Sequence, residues 1–348
     1  MNSMTENRFC PVCGKEQTEE NNCACLNCNF AYAFVTYFAG EAGRALWKQK
    51  AHDYKEKVEF DLRKQAEPDK LKSNKNTLVV GRDSVGYISA DTKRLRVVFG
   101  DGRKAIEEEN VDQYLSNDSN LAILYADGTV KVYGDNTYGQ CDVGNYSDIV
   151  DIAMSASCIY MVNNDGRVTV VGSIESKMKN AIVRWKDIKT IFASERLVIE
   201  ITNTGEIKVT ASIDSSRLNR IKEWNGAKKI CLRGRESVAL FDDGTVRVFG
   251  ADKEAEDWKE ITDIAYDGTY IIGLTSQKTI KLAGKARNEF LDAGRKEADA
   301  WTDIESISCS KTAIAGYDTC GDLLIAGKMG TDIDSLKKEW NRTIKKIL

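Results

Sequence analysis

The chain has 348 residues, with 50 Lys and Arg against 53 Asp and Glu and a net charge of −3, so no global basic field points to nucleic acid or an anionic membrane. An apolar fraction of 42% is enough to fill a core, which sets disorder aside. A single histidine, His52, removes hydrolases that need an imidazole base, His-rich zinc hydrolases and Cys/His fingers.

The first residues, MNSMTENRFCPVCGKEQ, lack the apolar stretch of a signal peptide, and no window approaches the roughly 18 apolar residues of a membrane span. A cytoplasmic protein is expected, and in that compartment ten cysteines do not make a disulfide framework. Residues 9–30, FCPVCGKEQTEENNCACLNCNF, hold Cys10-x2-Cys13 and, eleven residues later, Cys25-x2-Cys28. Two such pairs place four thiolates around a tetrahedral ion at about 2.3 Å each, and Gly14 and Asn29 allow the turns whose amides bond sulfur. The segment resembles a zinc ribbon over residues 1–40. Cys23 in place of Cys25, and iron in place of zinc, stay open. With four protein ligands the zinc is expected to be structural, since no position is left for water or substrate. Arg8 and Lys15 are the few cations nearby, so docking to protein is expected of the ribbon ahead of nucleic-acid binding.

Residues 41–76 form the connector. Within 44–66, RALWKQKAHDYKEKVEFDLRKQA, Trp47, Ala51, Tyr54, Val58 and Leu62 are spaced 4, 3, 4 and 4, which predicts one apolar face of a helix about 30 Å long. That face packs on the rest of the chain, or pairs with a partner or a second copy. Pro68 and the polar EPDKLKSNKN read as a linker.

Residues 77–348 repeat. VALFDDGTVRVFG at 238–250 is answered by LAILYADGTVKVYG at 121–134 and IYMVNNDGRVTVVG at 159–172. Each is an apolar run, a turn signal with Gly, a second run and a closing Gly: a tight β-hairpin. Anchored on the closing residue, the hairpin recurs at Gly100, Gly134, Gly172, Ala211, Gly250, Gly284 and Gly327, at intervals of 34, 38, 39, 39, 34 and 43. Ahead of the hairpins stands an aromatic-led strand: Trp185 in WKDIKTI, Trp224 in WNGAKKI, Trp258 in WKEITDI, Trp301 in WTDIESI and Trp340 in WNRTIKKI, with Tyr146 replacing Trp in YSDIVDI. One repeat is thus three short strands and a variable connection, too small to bury its own faces, and seven must stack. A closed, seven-bladed β-propeller protects the strand edges better than a solenoid, which would want a stricter rung and capping ends. The final IKKIL reads as a surplus leading strand that ties the last blade to the first.

The repeat resembles that of the regulator of chromosome condensation family, in which an Ile-rich strand leads into a "DG-V-Y-x-W-G" hairpin and an Asn/Gly/Gln segment. The match is clearest in DGTVKVYGDNTYGQCDVG, residues 127–144, with Gly134, Asn136, Gly139 and Gln140 in place. The resemblance implies an all-β chain dominated by a seven-bladed propeller. It implies roles that range over nucleotide exchange on a small GTPase with chromatin binding, ubiquitin-ligase targeting and inhibition of a β-lactamase by covering it. No segment matches the wedge hairpin used for exchange.

No phosphate loop, dinucleotide fingerprint or nucleophile elbow occurs, and the turn carboxylates Asp127, Asp165 and Asp243 are turn formers rather than a calcium site. The expectation is a non-enzymatic protein-interaction module, with the propeller as platform and the ribbon as docking element. Nucleic-acid binding through the ribbon and nucleotide exchange are the alternatives. The connections after each closing Gly share no sequence, so binding is expected there, with Tyr138, Arg287, Phe290, Arg295 and Met329 as the first residues to examine.

Overall fold

The computed structural model describes residues 77–212, 218–284, 292 and 294–348. The ribbon ligands Cys10, Cys13, Cys25 and Cys28, the connector helix, and the rim residues Arg287 and Phe290 lie outside these residues.

Seven antiparallel sheets follow one another along the chain. Their first strands are β1 (Thr77–Val80), β5 (Val111–Ser116), β8 (Ile149–Met154), β11 (Ile188–Ala193), β14 (Ala227–Arg233), β17 (Ile261–Tyr266) and β20 (Ile304–Cys309). The middle strands are β2 (Ser84–Ile88), β6 (Asn120–Tyr125), β9 (Cys158–Asn163), β12 (Leu197–Thr202), β15 (Glu236–Phe241), β18 (Ile271–Thr275) and β21 (Ala313–Asp318). The third strands are β3 (Leu95–Phe99), β7 (Val130–Gly134), β10 (Val168–Gly172), β13 (Ile207–Ala211), β16 (Val246–Phe249), β19 (Ile280–Ala283) and β22 (Leu323–Gly327). The hairpins of the sequence repeat are the middle and third strands of each sheet. The first sheet alone adds a fourth strand, β4 (Ile106–Glu108).

Each first strand touches the first strand of the next sheet, and β1 touches β20, so the series closes into a ring. Burial follows the same plan. Among the described residues seven separate apolar clusters occur, and each joins residues of two successive sheets, the last sheet and the first included. No sheet could bury both its faces alone, which is why the repeat is stable only in company. The chain therefore forms a seven-bladed β-propeller.

The tryptophans serve these interfaces one each. Trp185, Trp224, Trp258, Trp301 and Trp340 belong to the five clusters running from the third sheet round to the first. Their rings need room on the blade they cover. A Cβ at Gly273 would lie 2.7 Å from the Trp258 ring, and one at Gly316 would lie 3.4 Å from the Trp301 ring. Where the second and third sheets meet, Tyr146 stays exposed and the smaller Val143 enters the core.

A second regularity joins neighbouring blades. The residue just before the first strand is left-handed at Asn110, Asp148, Asp187, Glu260 and Asp303, with φ between 57° and 60°, and at Gly226. This conformation lets the next amide reach the hairpin turn of the preceding sheet: Ile149 N–H donates to Gly128 O at 3.1 Å, Ile188 to Gly166 at 3.0 Å and Ile261 to Gly244 at 3.2 Å. Glycine suits the turn position for its positive φ and for this close approach, and in two blades Lys93 and Lys278 take the same left-handed conformation and accept from Val111 and Ile304 at 2.8 and 2.9 Å.

The chain end corrects the sequence reading. There is no surplus strand; a helix, α3 in chain order after α1 (Ser176–Ile182) and α2 (Asn219–Lys222), spans Ile333–Thr343 and is followed by a 3₁₀ turn at Lys345–Ile347. Asp332 caps it by accepting from Ser335 N–H at 2.7 Å. Leu336, Trp340 and Ile344, four residues apart, form its buried face. Because β1 already fills the leading position of the first sheet, no leading edge at the seam was left to accept another strand. Closure is made by β1 against β20, with Val80 N–H donating to Ser308 Oγ at 3.1 Å, and α3 lies over the seam.

Candidate interaction surface

Of the predicted rim residues, Arg295 is buried and Met329 half-buried. Arg295 is 2% exposed, and its guanidinium pairs with the equally buried Asp267, donates to Asp292 O at 3.0 Å and lies over the Tyr270 ring. Burial pushes the Asp267 carboxyl up against the pull of the guanidinium. Arg295 also donates to Lys311 O of the seventh blade at 3.3 Å, so it ties the sixth blade to the seventh from a buried position. Met329 packs against the apolar cluster at the closing seam. Tyr138 is where a partner could reach it, 55% exposed.

Tyr138 stands on the connection from β7 to β8, residues 135–148, which contains neither helix nor strand. Its frame is a dense set of hydrogen bonds. Asp135 accepts from the Thr137 hydroxyl and from Thr137 N–H at 3.0 Å, which together draw its carboxyl below the usual range. Asn136 accepts from Cys141 N–H at 2.8 Å and donates to Asp142 at 3.0 Å. The buried Gln140 accepts from Tyr138 N–H at 2.9 Å, and Asn120 on β6 donates to Asp135 O at 2.7 Å. The Asn and Gln that carried the family resemblance are the residues that brace the loop.

Six large hydrophobic side chains are exposed among the described residues, and four of them, Tyr133, Tyr138, Tyr146 and Val150, fall between positions 133 and 150. Tyr138 and Tyr146 lie on the connection itself, Tyr133 and Val150 on the strands that flank it; exposed hydrophobics scattered singly need no explanation, but such a concentration marks a contact surface. Sequence reading found Tyr138 and missed Tyr133 and Tyr146. Tyr146 was legible as the repeat's aromatic in a copy that had lost its Trp.

The ring interior carries a polar belt that sequence reading also missed. In six of the seven first strands a β-bulge or irregularity precedes one polar residue: Gln113, Asp151, Thr190, Lys229, Asp263 and Ser306. Asp151 accepts from Gln113 Nε2, Thr190 Oγ1 and Ile191 N–H at 2.5, 2.6 and 2.8 Å, and Lys229 pairs with Asp263 at 2.6 Å. The belt also satisfies first-strand amides: Ile191 N–H donates to Asp151, Ile152 N–H to Gln113 and Ile264 N–H to Asp263. Burial pushes the nearby Cys231 thiol up to about 11 and raises Cys309 as well, which disfavours their thiolate forms. No group of His, Cys, Asp and Glu able to hold a metal occurs among the described residues.

No family model and no curated protein matches the chain. Among solved structures, the ectodomain of the receptor kinase CR4 from Physcomitrella patens is similar at 10% identity, with a TM-score of 0.53 over 74% of this chain and 73% of that one. The CRINKLY WD40 ectodomain of the receptor kinase ACR4 from Arabidopsis thaliana is similar at 10% identity, with a TM-score of 0.50 over 75% of this chain and 97% of that one. Prp20p from Saccharomyces cerevisiae aligns at 12% identity over 72% of this chain and 71% of its own, with a TM-score of 0.37. At such identities the first two agree with the propeller fold and say nothing of partners.

Proposed function

We propose that this protein is a recognition platform for another protein, with residues 135–148 as its contact surface. The observation that carries this reading is the pair of exposed tyrosines, Tyr138 and Tyr146, on one connection whose backbone is fixed by its own hydrogen bonds, with Tyr133 and Val150 exposed on the strands at its two ends. Tyrosine on a pre-ordered loop supplies contact area at little entropic cost. The closed ring beneath lets such a loop vary without disturbing blade packing. The reading assigns no catalytic step to the chain. Capture of partners on the full chain, followed by hydrogen exchange of the complex, tests it: protection over 135–148 is expected, and protection confined to another part of the ring would overturn it.

The amino-terminal cysteines belong to the same proposal. Cys10, Cys13, Cys25 and Cys28 hold one structural zinc, and the ribbon so formed is a second docking element. The support is their spacing, which gives a closed set of four thiolates. Metal analysis of the purified chain should return one zinc, lost in a Cys10→Ser, Cys28→Ser variant. A metal-free chain with four freely alkylated thiols in this segment rules the ribbon out.

A further inference from the structure

Charge is unevenly spread around the ring. Residues 105–166, from the start of β4 to the hairpin turn of the third sheet, hold eleven Asp and Glu and one cation, Lys131, so they carry −10 in a chain whose total is −3. The remainder of the chain is therefore +7. Part of this acid is answered locally: Glu109 pairs with Arg94, Asp112 with Lys93, and Glu108 lies 3.8 Å from Lys131. Asp151 is held within the polar belt. Asp118, Asp127, Asp135, Asp142, Asp148 and Asp165 are exposed and form no ion pair among the described residues.

These six frame the connection that carries Tyr138 and Tyr146. At one end Asp135 N–H donates to Ser119 O at 3.2 Å, which sets the turn holding Asp118 beside Asp135. At the other, Asn164 N–H donates to Asp148 O at 2.8 Å and Ile149 N–H to Gly128 O at 3.1 Å, which brings the turns holding Asp165 and Asp127 to Asp148. Asp142 stands between the two ends, two positions after the buried Gln140 that braces Tyr138. The hydroxyl and amide of Thr137 and of Thr129 hold Asp135 and Asp127 below the usual carboxylate range, so both are ionised at neutral pH.

An aromatic contact surface inside such a field repels nucleic acid and anionic lipid and draws cations. We propose that residues 135–148 receive an arginine-bearing segment of the partner protein, whose guanidinium groups lie over Tyr138 and Tyr146 and pair with the aspartates beside them. The assignment rests on the recognition reading above and names the partner's chemistry. A guanidinium is the side chain that meets both demands, stacking on a ring and bonding a carboxylate in its plane. The ring uses that combination within itself. Arg103 lies 4.2 Å over Phe99 while pairing with Asp101 at 2.6 Å, and Arg295 lies 5.2 Å over Tyr270 while pairing with Asp267.

Binding of fluorescent deca-arginine to the full chain, read by anisotropy at about 0.15 M salt, tests it. The wild type should bind, and an Asp142→Asn, Asp148→Asn variant should bind about tenfold more weakly. Asparagine keeps the acceptor that Asn136 uses at position 142 and suits the left-handed backbone at 148, where φ is 59°. Asp242→Asn, Asp243→Asn removes equal charge from the hairpin turn of the fifth blade and should leave binding within about twofold. Should the first variant disturb the loop, Asp127→Asn, Asp165→Asn takes its place. No binding, or equal weakening by the loop and fifth-blade variants, overturns the proposal. If Tyr138→Ala loses the protein captured from extract while Asp142→Asn, Asp148→Asn retains it, the arginine assignment falls and the recognition loop stands. A captured protein indifferent to Tyr138→Ala removes both.

Discussion

The indole Nε1 of Trp340 donates to Gly321 O at 2.9 Å, joining the last helix to the hairpin turn of the seventh blade. Trp340 is fully buried, and it meets Tyr87 of the first blade edge-on at 6.2 Å and Tyr317 of the seventh at 6.1 Å. One side chain thus spans the seam where the ring closes. Trp340→Ala should cost about 3–5 kcal/mol in denaturant unfolding. Trp340→Phe keeps the packing and loses the hydrogen bond, and should cost about 1–2 kcal/mol. Equal costs for the two would mean that the seam is not held by this ring.

The turn glycines divide into two kinds. A Cβ at Gly166, where φ is 69°, would lie 2.8 Å from Ile188 N of the next blade; at Gly205, where φ is 83°, nothing lies within 4 Å. Gly205→Ala should lose about 1–2 kcal/mol, the ordinary cost of a left-handed alanine. Gly166→Ala adds a backbone clash and should lose at least about 1 kcal/mol more. Thermal melts of the two proteins make the comparison.

Glu200, on the middle strand of the fourth blade, is fully buried, and neither carboxylate oxygen has a hydrogen-bond partner. Its register partner on the first strand is Ile191, which makes it the counterpart of Gly273 and Gly316 in later blades. Burial pushes its carboxyl from 4.5 up to about 9, against a weak pull from Lys208. The folded state therefore holds a proton that the unfolded chain gives up. Stability should be greatest below the ordinary carboxyl value and fall as pH rises toward 9, by at most about 1.4 kcal/mol per unit. Glu200→Gln should flatten that slope in unfolding curves taken across the window. An unchanged slope would show the carboxyl already ionised in the fold.

Arg295 and Asp267 form a pair with both side chains at 2% exposure or less. Arg295→Met strands a buried carboxylate, and a loss of about 3–5 kcal/mol is expected. Adding Asp267→Asn should recover part of it, because the charge that needed a partner is gone. Loss in the double variant equal to the sum of the single ones would mean that the two act separately.

How much of this was legible follows from what each feature depends on. The hairpins, their closing glycines and the number of blades were readable because they rest on local turn chemistry repeated seven times. The tryptophan positions were readable for the same reason, while their role at the interfaces needed the ring. The end of the chain was misread: IKKIL has the composition of a leading strand, and the competition for a sheet edge already filled by β1 is not local. Arg295 looked like a rim residue because the connection holding it is polar, and its partner Asp267 lies 28 positions away. Glu200 was invisible to pattern, since its neighbours Ile199 and Ile201 alternate as in any strand. Tyr138 stood out because the motif around it was intact, and the loop's exposed tyrosines became a group only once the fold showed them uncovered.

The most direct measurement compares proteins retained by the full chain from native extract with those retained by a Tyr138→Ala, Tyr146→Ala variant of unchanged circular dichroism and melting temperature. A defined protein held in fixed proportion by the wild type, and lost from the variant, is the result expected of a recognition loop. Equal retention by both, or no stable companion for either, would contradict it.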